Sequence, residues 1–281
     1  MGVTVITDSG SDFANGEPGK YGIEIVPIWI IFGDSRLRDG IDIDRETFFA
    51  RMAAGELPTT QPPSQAQFAE VFGRAVNAGN DVVMVTLSSQ ISECFANATQ
   101  AASAFGGRVH VVDSRGASGL ETLLALYAVE LAKAGTPASE IARRLSPGVL
   151  KSASFFAVPD LSVLGRSGRL PKAVVALGSM LNVSLVLKMN DQGAIGPAGQ
   201  SFSFDKTCEI MVEAVVRAVE HSPNARIAFG HVQAAATVAK LSKLMAEKLG
   251  HPPVVEISHE APLTIASHMG TGAIGIFAIV P

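Results

Sequence analysis

Two cysteines, Cys94 and Cys208, are all the chain contains, and neither has a second Cys or a His at zinc-ligand spacing. That excludes a disulfide framework and a sequence-local zinc site, and both residues are expected to be reduced core thiols of a cytoplasmic protein. Clustered positive charge is lacking too. The 22 Lys+Arg face 26 Asp+Glu, a formal net charge of −4, and no basic run is longer than Arg143-Arg144. A nucleic-acid footprint needs such clusters, so that partner class is excluded. Long hydrophobic runs are absent: IEIVPIWIIF (23–32) carries Glu24 and Pro27 and falls far short of the ~20 apolar residues of a membrane span. MGVTVITDSGSDF has neither a basic leader nor a sustained apolar core, so no secretory signal is expected.

What the chain does have is apolar residues: 47% hydrophobic against 17% charged over 281 residues. This is a core-rich globular composition at the length of one large or two ordinary domains. Short apolar runs at VTVIT (3–7), VVMVTL (82–87), RVHVVD (108–113), SFFAV (154–158), RIAFGHV (226–232) and PVVEI (253–257) read as strands. Most alternate with helix-length segments, as in parallel α/β sheets. Ser64-Gln65-Ala66-Gln67 has the form of a capping box, Thr136-Pro137 sets a cap before a first-turn proline, and Asp205 precedes the helical periodicity of KTCEIMVEAVVRAVE. Asp191-Gln192-Gly193 separates two apolar stretches and predicts a hairpin or loop, hence antiparallel pairing in the second half. The domains are placed at 1–150 and 151–281.

Near the end of the chain, G-T-G-A-I-G (270–275) matches the glycine fingerprint of a dinucleotide site. That fingerprint requires a following helix and an acidic residue about 20 positions on. Only Ile276 to Pro281 follow, room for one short strand, so the glycines are read as serving a tight turn or a close approach.

Four segments rich in small polar residues could carry chemistry. In LPTTQPPSQ (57–65), Thr59 and Thr60 lie in a Pro-flanked turn and either serve the turn or donate to an anionic ligand. In TLSSQISECFANATQ (86–100), Ser92 stands near a helix start, an N-cap or a ligand donor where a strand feeds a helix. In GRSGRLPK (165–172), Arg169 is either solvated or a fork of donors for a carboxylate or phosphoryl group. In SHMGTGAIG (267–275), His268 is structural or part of a site. Ser92 with His268 leaves open an acyl hydrolase or transferase, although no third member is evident.

In this order the segments resemble the DegV family of bacterial proteins, including its FakB-like fatty-acid-binding members. Asp8-Ser9-Gly10-Ser11-Asp12, Thr59-Thr60-Gln61-Pro62-Pro63 and Leu87 to Phe95 are similar to three of the family's motifs. Ser167 to Lys172, followed by Gly178-Ser179-Met180-Leu181-Asn182, and finally His268 to Gly275, resemble two more. The likeness covers essentially the whole chain. It implies a two-domain α/β fold, with a mostly parallel sheet in the N-terminal domain, a mixed α/β C-terminal domain, and a long-chain fatty acid between them. It implies that Thr59, Ser92 and His268 bind the fatty-acid carboxylate, with Thr60 and Arg169 in supporting or partner-facing roles. The implied activity is non-catalytic: a carrier presenting its ligand to a separate fatty acid kinase for acyl-phosphate formation in phospholipid metabolism. No cofactor or metal is implied, and membrane contact is transient. The chain departs from the motifs at Thr60, Pro63, Glu93, Pro171 and Thr271. Glu93 matters most, because a carboxylate next to Ser92 repels an anionic headgroup unless it points to solvent.

Overall fold

The computed structural model describes residues 2–13, 17–181, 183–219 and 222–281. Asn182 of the fourth motif and Glu220, the last residue of the periodic stretch after Asp205, lie outside them. The first half contains β1 (Val3–Asp8), α1 (Glu17–Tyr21), β2 (Ile23–Val26), β3 (Trp29–Phe32), β4 (Ser35–Arg38), α2 (Arg45–Ala53), β5 (Thr59–Gln61) and α3 (Gln65–Asn77). It continues with β6 (Asp81–Thr86), α4 (Cys94–Ala102), β7 (Val109–Asp113), α5 (Gly119–Lys133) and α6 (Ala138–Leu145). The second half contains β8 (Lys151–Ala157), α7 (Leu161–Arg166), α8 (Lys172–Leu181), β9 (Ser184–Met189), β10 (Ile195–Ser201) and α9 (Phe204–Val219). It ends with β11 (Arg226–His231), α10 (Ala235–Leu249), β12 (Val254–Glu260), α11 (Leu263–Met269) and β13 (Ile274–Val280).

Three sheets result. A four-stranded sheet ordered β2-β1-β6-β7 is parallel throughout, and β4-β3-β5 is a small antiparallel sheet. Strands β10-β9-β8-β13-β11-β12 form a mixed sheet whose only parallel pair is β11 with β12. The fold is α/β as the sequence implied, and all six apolar runs are strands. Pro27 splits the longest apolar run into β2 and β3, because proline supplies no ladder donor. Asn190 to Ala194 turn the chain between antiparallel β9 and β10, where Asn190 Oδ1 accepts from Gln192 and Ala194 N–H.

Local signals explain most helix starts, with two corrections. Ser64 and Gln67 make both hydrogen bonds of the capping box before α3. The α6 N-cap is Pro137 rather than Thr136, and no side chain caps it. Asp205 lies inside the first turn of α9, while Ser203 Oγ accepts from Lys206 N–H at 3.2 Å. The shorter hydroxyl side chain, one residue upstream of the helix, reaches the free amide.

Helix α5 packs against the parallel sheet and against β11 and β13 of the mixed sheet, and it is buried on nearly every side. Gly119 permits the approach, since a Cβ there would stand 2.4 Å from the Phe277 ring and 2.9 Å from Ala228. The apolar clusters consequently join the two halves of the chain. One contains Ile6 and Phe68 with Phe156 and Ala266; another contains Val5 and Leu123 with Phe277 and Ile279.

Three acids are buried in this junction: Asp8 at the end of β1, Asp12 just after it and Glu121 on α5. Asp8 accepts from Gly10 N–H at 2.9 Å and Leu87 N–H at 3.0 Å. Asp12 accepts from Ser118 Oγ, and Glu121 accepts from Thr7 Oγ1 at 2.5 Å. Burial disfavours the ionised forms, pushing Asp8 up to about 6 and Asp12 up to about 7, with Glu121 raised well above its usual range. Among the described residues no helix is long and apolar enough to cross a membrane.

Carboxyls with folded-state pKa values above their unfolded ones stabilise the protein fully below about 4, and that contribution is lost as pH rises through the folded values. Their contribution to the unfolding free energy, measured by denaturant titration, should therefore fall between about pH 4 and 7, against an opposing rise from His268, whose folded value is lowered to about 4. Asp42 and Glu140, lowered to about 2 by their arginine partners, lose their contribution only at more acidic pH. Asp12→Asn should flatten the fall, by at most about 1.4 kcal/mol per pH unit for one proton. An unchanged slope in that variant would show that Asp12 ionises normally.

Candidate functional site

Strand β5 has three residues without an apolar alternation, yet its side chains follow the period of two. Thr59 and Gln61 are exposed, while Thr60 is half-buried beneath α11, which packs on β3 and β5. Thr60 Oγ1 lies 2.8 Å from His268 Nε2. On α11 the i, i+3, i+4 spacing puts Ile265, His268 and Met269 on one face. Buried Asp39 fixes where that helix begins, accepting from Thr264 N–H at 2.9 Å. Gly270 ends it in the left-handed region, with φ of 74°.

Ser92 arrives from the other side. Its Oγ donates to Cys94 Sγ at 3.1 Å and accepts from Cys94 N–H at 3.2 Å, an arrangement that ties the residue to the first turn of α4. Glu93 occupies the N-cap position of α4, is exposed, and makes no side-chain capping bond. Arg169 follows Gly168, whose φ is 74°. Its guanidinium is half-buried and donates to two backbone carbonyls, Ser167 O at 2.5 Å and Ile91 O at 3.3 Å. No carboxylate pairs with it among the described residues, and burial lowers its pKa.

Thr60, Ser92, Arg169 and His268 line one open cleft of about 490 Å³, together with Ser89, Gln90, Glu93 and Thr264. Thr59, which the motif resemblance assigns to the carboxylate, is not in its lining; the strand's alternation gives that place to Thr60. Burial, and then the nearby positive charge of Arg169, lower His268 to about 4, so its imidazole is neutral near pH 7. The cleft thus offers the hydroxyls of Thr60, Ser89, Ser92 and Thr264, a neutral imidazole and a guanidinium that no carboxylate pairs with among the described residues, with exposed Glu93 also in the lining.

Behind the cleft lies a narrow apolar cavity, with about 40 Å³ open to the centre of a water-sized sphere, between α11, the α5 N-terminus and the inner face of the mixed sheet, bounded by Phe156, Val232 and Phe277. Ile91, Ala117, Ile195, Ile265 and Met269 line both spaces, so the cleft and the cavity adjoin across these side chains. Sequence reasoning missed Asp39 and Thr264. They are joined by a contact spanning 225 residues, for which no local pattern exists. The 270–275 glycines are followed by β13 and no helix, which removes the dinucleotide reading. No cluster of His, Cys, Asp or Glu among the described residues could hold a metal ion.

Comparison with known proteins places this geometry. The family model described as "Uncharacterised protein, DegV family" matches residues 2–280. A DegV domain-containing protein of Deinococcus radiodurans is 30% identical over 282 aligned residues, covering 98% of each chain. A DegV family protein from Thermus thermophilus, solved as fatty-acid binding, superimposes with a TM-score of 0.89 at 30% identity over 100% of both chains. DegV of Bacillus subtilis, described as a fatty acid binding protein, does so with a TM-score of 0.87 at 26% identity, again over 100% of both chains. The chain belongs to the DegV family.

Proposed function

We propose that this protein is a carrier for a long-chain fatty acid, with the carboxylate held in the cleft by Thr60, Ser92, His268 and Arg169 and the tail in the apolar cavity. The observation that carries this reading is the adjacency of the two spaces: hydroxyl and imidazole groups with a guanidinium that no carboxylate pairs at the mouth, and hydrocarbon walls behind. An ionised carboxylate leaving water needs donors to replace its hydration, and charge-assisted bonds from a guanidinium and hydroxyls supply them. Each buried CH₂ of the tail then adds about 0.8 kcal/mol before ordering costs. The fatty-acid-binding relatives from Thermus thermophilus and Bacillus subtilis support the same ligand class. Thr60 takes the role that the resemblance gave to Thr59.

The wider role follows the family resemblance: a non-catalytic, cytoplasmic FakB-like subunit. It presents the carboxylate to a separate fatty acid kinase for acyl-phosphate formation in bacterial phospholipid metabolism, touches membranes only transiently, and has halves that divide near residue 150. The alternative of a serine-dependent hydrolase is less well supported. Ser92 Oγ bonds Cys94 and His268 Nε2 bonds Thr60, so the nucleophile–base hydrogen bond such an enzyme needs is not among those the two residues make. An imidazole titrating near 4 is also a weak general base.

Solvent extraction and mass analysis of the purified protein should release a near-stoichiometric long-chain fatty acid. Thr60→Val or Ser92→Ala should weaken fatty-acid binding by about tenfold or more, the worth of one hydrogen bond to a charged group. Thr59→Val should change it by less than about twofold, as expected for an exposed side chain. The reverse order of the two threonines would return the carboxylate to Thr59, and an empty folded protein that takes up no fatty acid would remove the carrier reading.

His268 offers a second check. In ligand-free protein its imidazole resonances should titrate near pH 4, as burial and Arg169 dictate. Saturation with a fatty acid should move the titration upward, because a carboxylate beside the ring favours the imidazolium. A downward or absent shift on saturation would place the carboxylate elsewhere.

A further inference from the structure

Three side chains among those lining the tail cavity carry polar groups: Ser118, Ser154 and His231. Two of them are engaged. Ser118 Oγ donates to Asp12, and His231 Nδ1 accepts from Ala234 N–H at 3.3 Å. Ser154 differs: it is 4% exposed, and its hydroxyl has no hydrogen-bond partner among the described residues. It sits in the middle of β8, opposite Phe277 of β13, in the sheet wall against which the tail would lie. Ser154 and Met189 also border a separate surface cleft beside Ser152 and Asn190, and neither lines the carboxylate cleft. Ser154 therefore lies in the part of the cavity that does not border the mouth.

A plain hydrocarbon tail leaves that hydroxyl desolvated and unpaired, which is unfavourable; alanine would serve such a tail better. We propose that the cavity is fitted to an acyl chain bearing a hydroxyl or oxo oxygen far from its carboxylate, with Ser154 Oγ–H as the hydrogen-bond partner of that oxygen. This rests on the carrier reading and narrows its substrate class. A hydroxyl on the tail both accepts from and donates to serine, whereas an oxo group only accepts, and Ser154 can satisfy either. A site built to bond an oxygen discriminates by leaving its own polar group unpaired when the unsubstituted chain binds.

The test compares stearic acid with a positional series of monohydroxystearic acids, by competition on the full-length protein and on Ser154→Ala. In the parent, one distal positional isomer should bind about fivefold more tightly than stearate, the worth of one neutral hydrogen bond. In Ser154→Ala that preference should vanish while stearate binds more tightly and the protein gains thermal stability. If stearate binds the parent and no isomer exceeds it, or if the preference survives in Ser154→Ala, the inference is overturned and the carrier reading stands. If neither stearate nor any isomer binds, both fall.

Discussion

The contact between Thr60 and His268 joins parts of the chain separated by 208 residues, and the mouth of the site exists only where it forms. It is short, half-buried and made by two neutral groups, so it holds β5 to α11 without bringing a counter-charge to the cleft. The neutrality has two sources that reinforce each other: burial disfavours the imidazolium, and Arg169 repels it. The same guanidinium, held by backbone carbonyls, thus keeps the histidine neutral and leaves a positive field at the mouth.

The framework behind this mouth accepts unfavourable burial elsewhere. Asp8, Asp12 and Glu121 are packed where β1, α5 and the mixed sheet meet, and their pKa values rise because water is excluded there. Their hydrogen bonds fix the loop after β1, the start of α5 and the segment after β6, and the last two border the cavity and the cleft. Gly230 lies against the same cluster: a Cβ there would come within 2.5 Å of Asp12 and 2.8 Å of Ser118. Polar satisfaction and cavity shape are therefore linked at one place, and a larger residue at position 230 would disturb both.

Much of this was legible in the sequence, for physical reasons that differ by element. Buried parallel strands such as β1 and β6 are continuous apolar runs, which can be read without knowing their neighbours. The capping box at Ser64 is purely local and was read correctly, whereas α9 starts one residue before Asp205 because Ser203 offered the better-placed hydroxyl. Strand β5 was invisible: three polar residues between prolines look like a turn, and only pairing with β3 makes them a strand. Motif resemblance assigns Thr59 to the carboxylate and Thr60 to a supporting role, while which of the two adjacent threonines faces the cleft depends on that unseen pairing. Ser92, Arg169 and His268 were found by residue type and motif, and the structure brings all three to one cleft. The Asp39–Thr264 contact and the orphaned Ser154 hydroxyl depend on tertiary position alone.

The charge distribution at the mouth then limits what can be bound there. Glu93, the departure that threatened an anionic headgroup, is exposed at the start of α4, where water screens it and the helix N-terminus favours it. Arg169 is half-buried, without an acid, and weakened by desolvation. Charges interact more strongly the less water surrounds them, so the cation governs the cleft and the acid contributes little. One desolvated positive charge beside neutral donors is matched by one negative charge. A monoanionic carboxylate completes the balance, whereas a neutral ester leaves Arg169 uncompensated and a dianion leaves an excess charge in a partly dry site. On the carrier reading, the free acid is accordingly the form of the lipid that the mouth is built to hold.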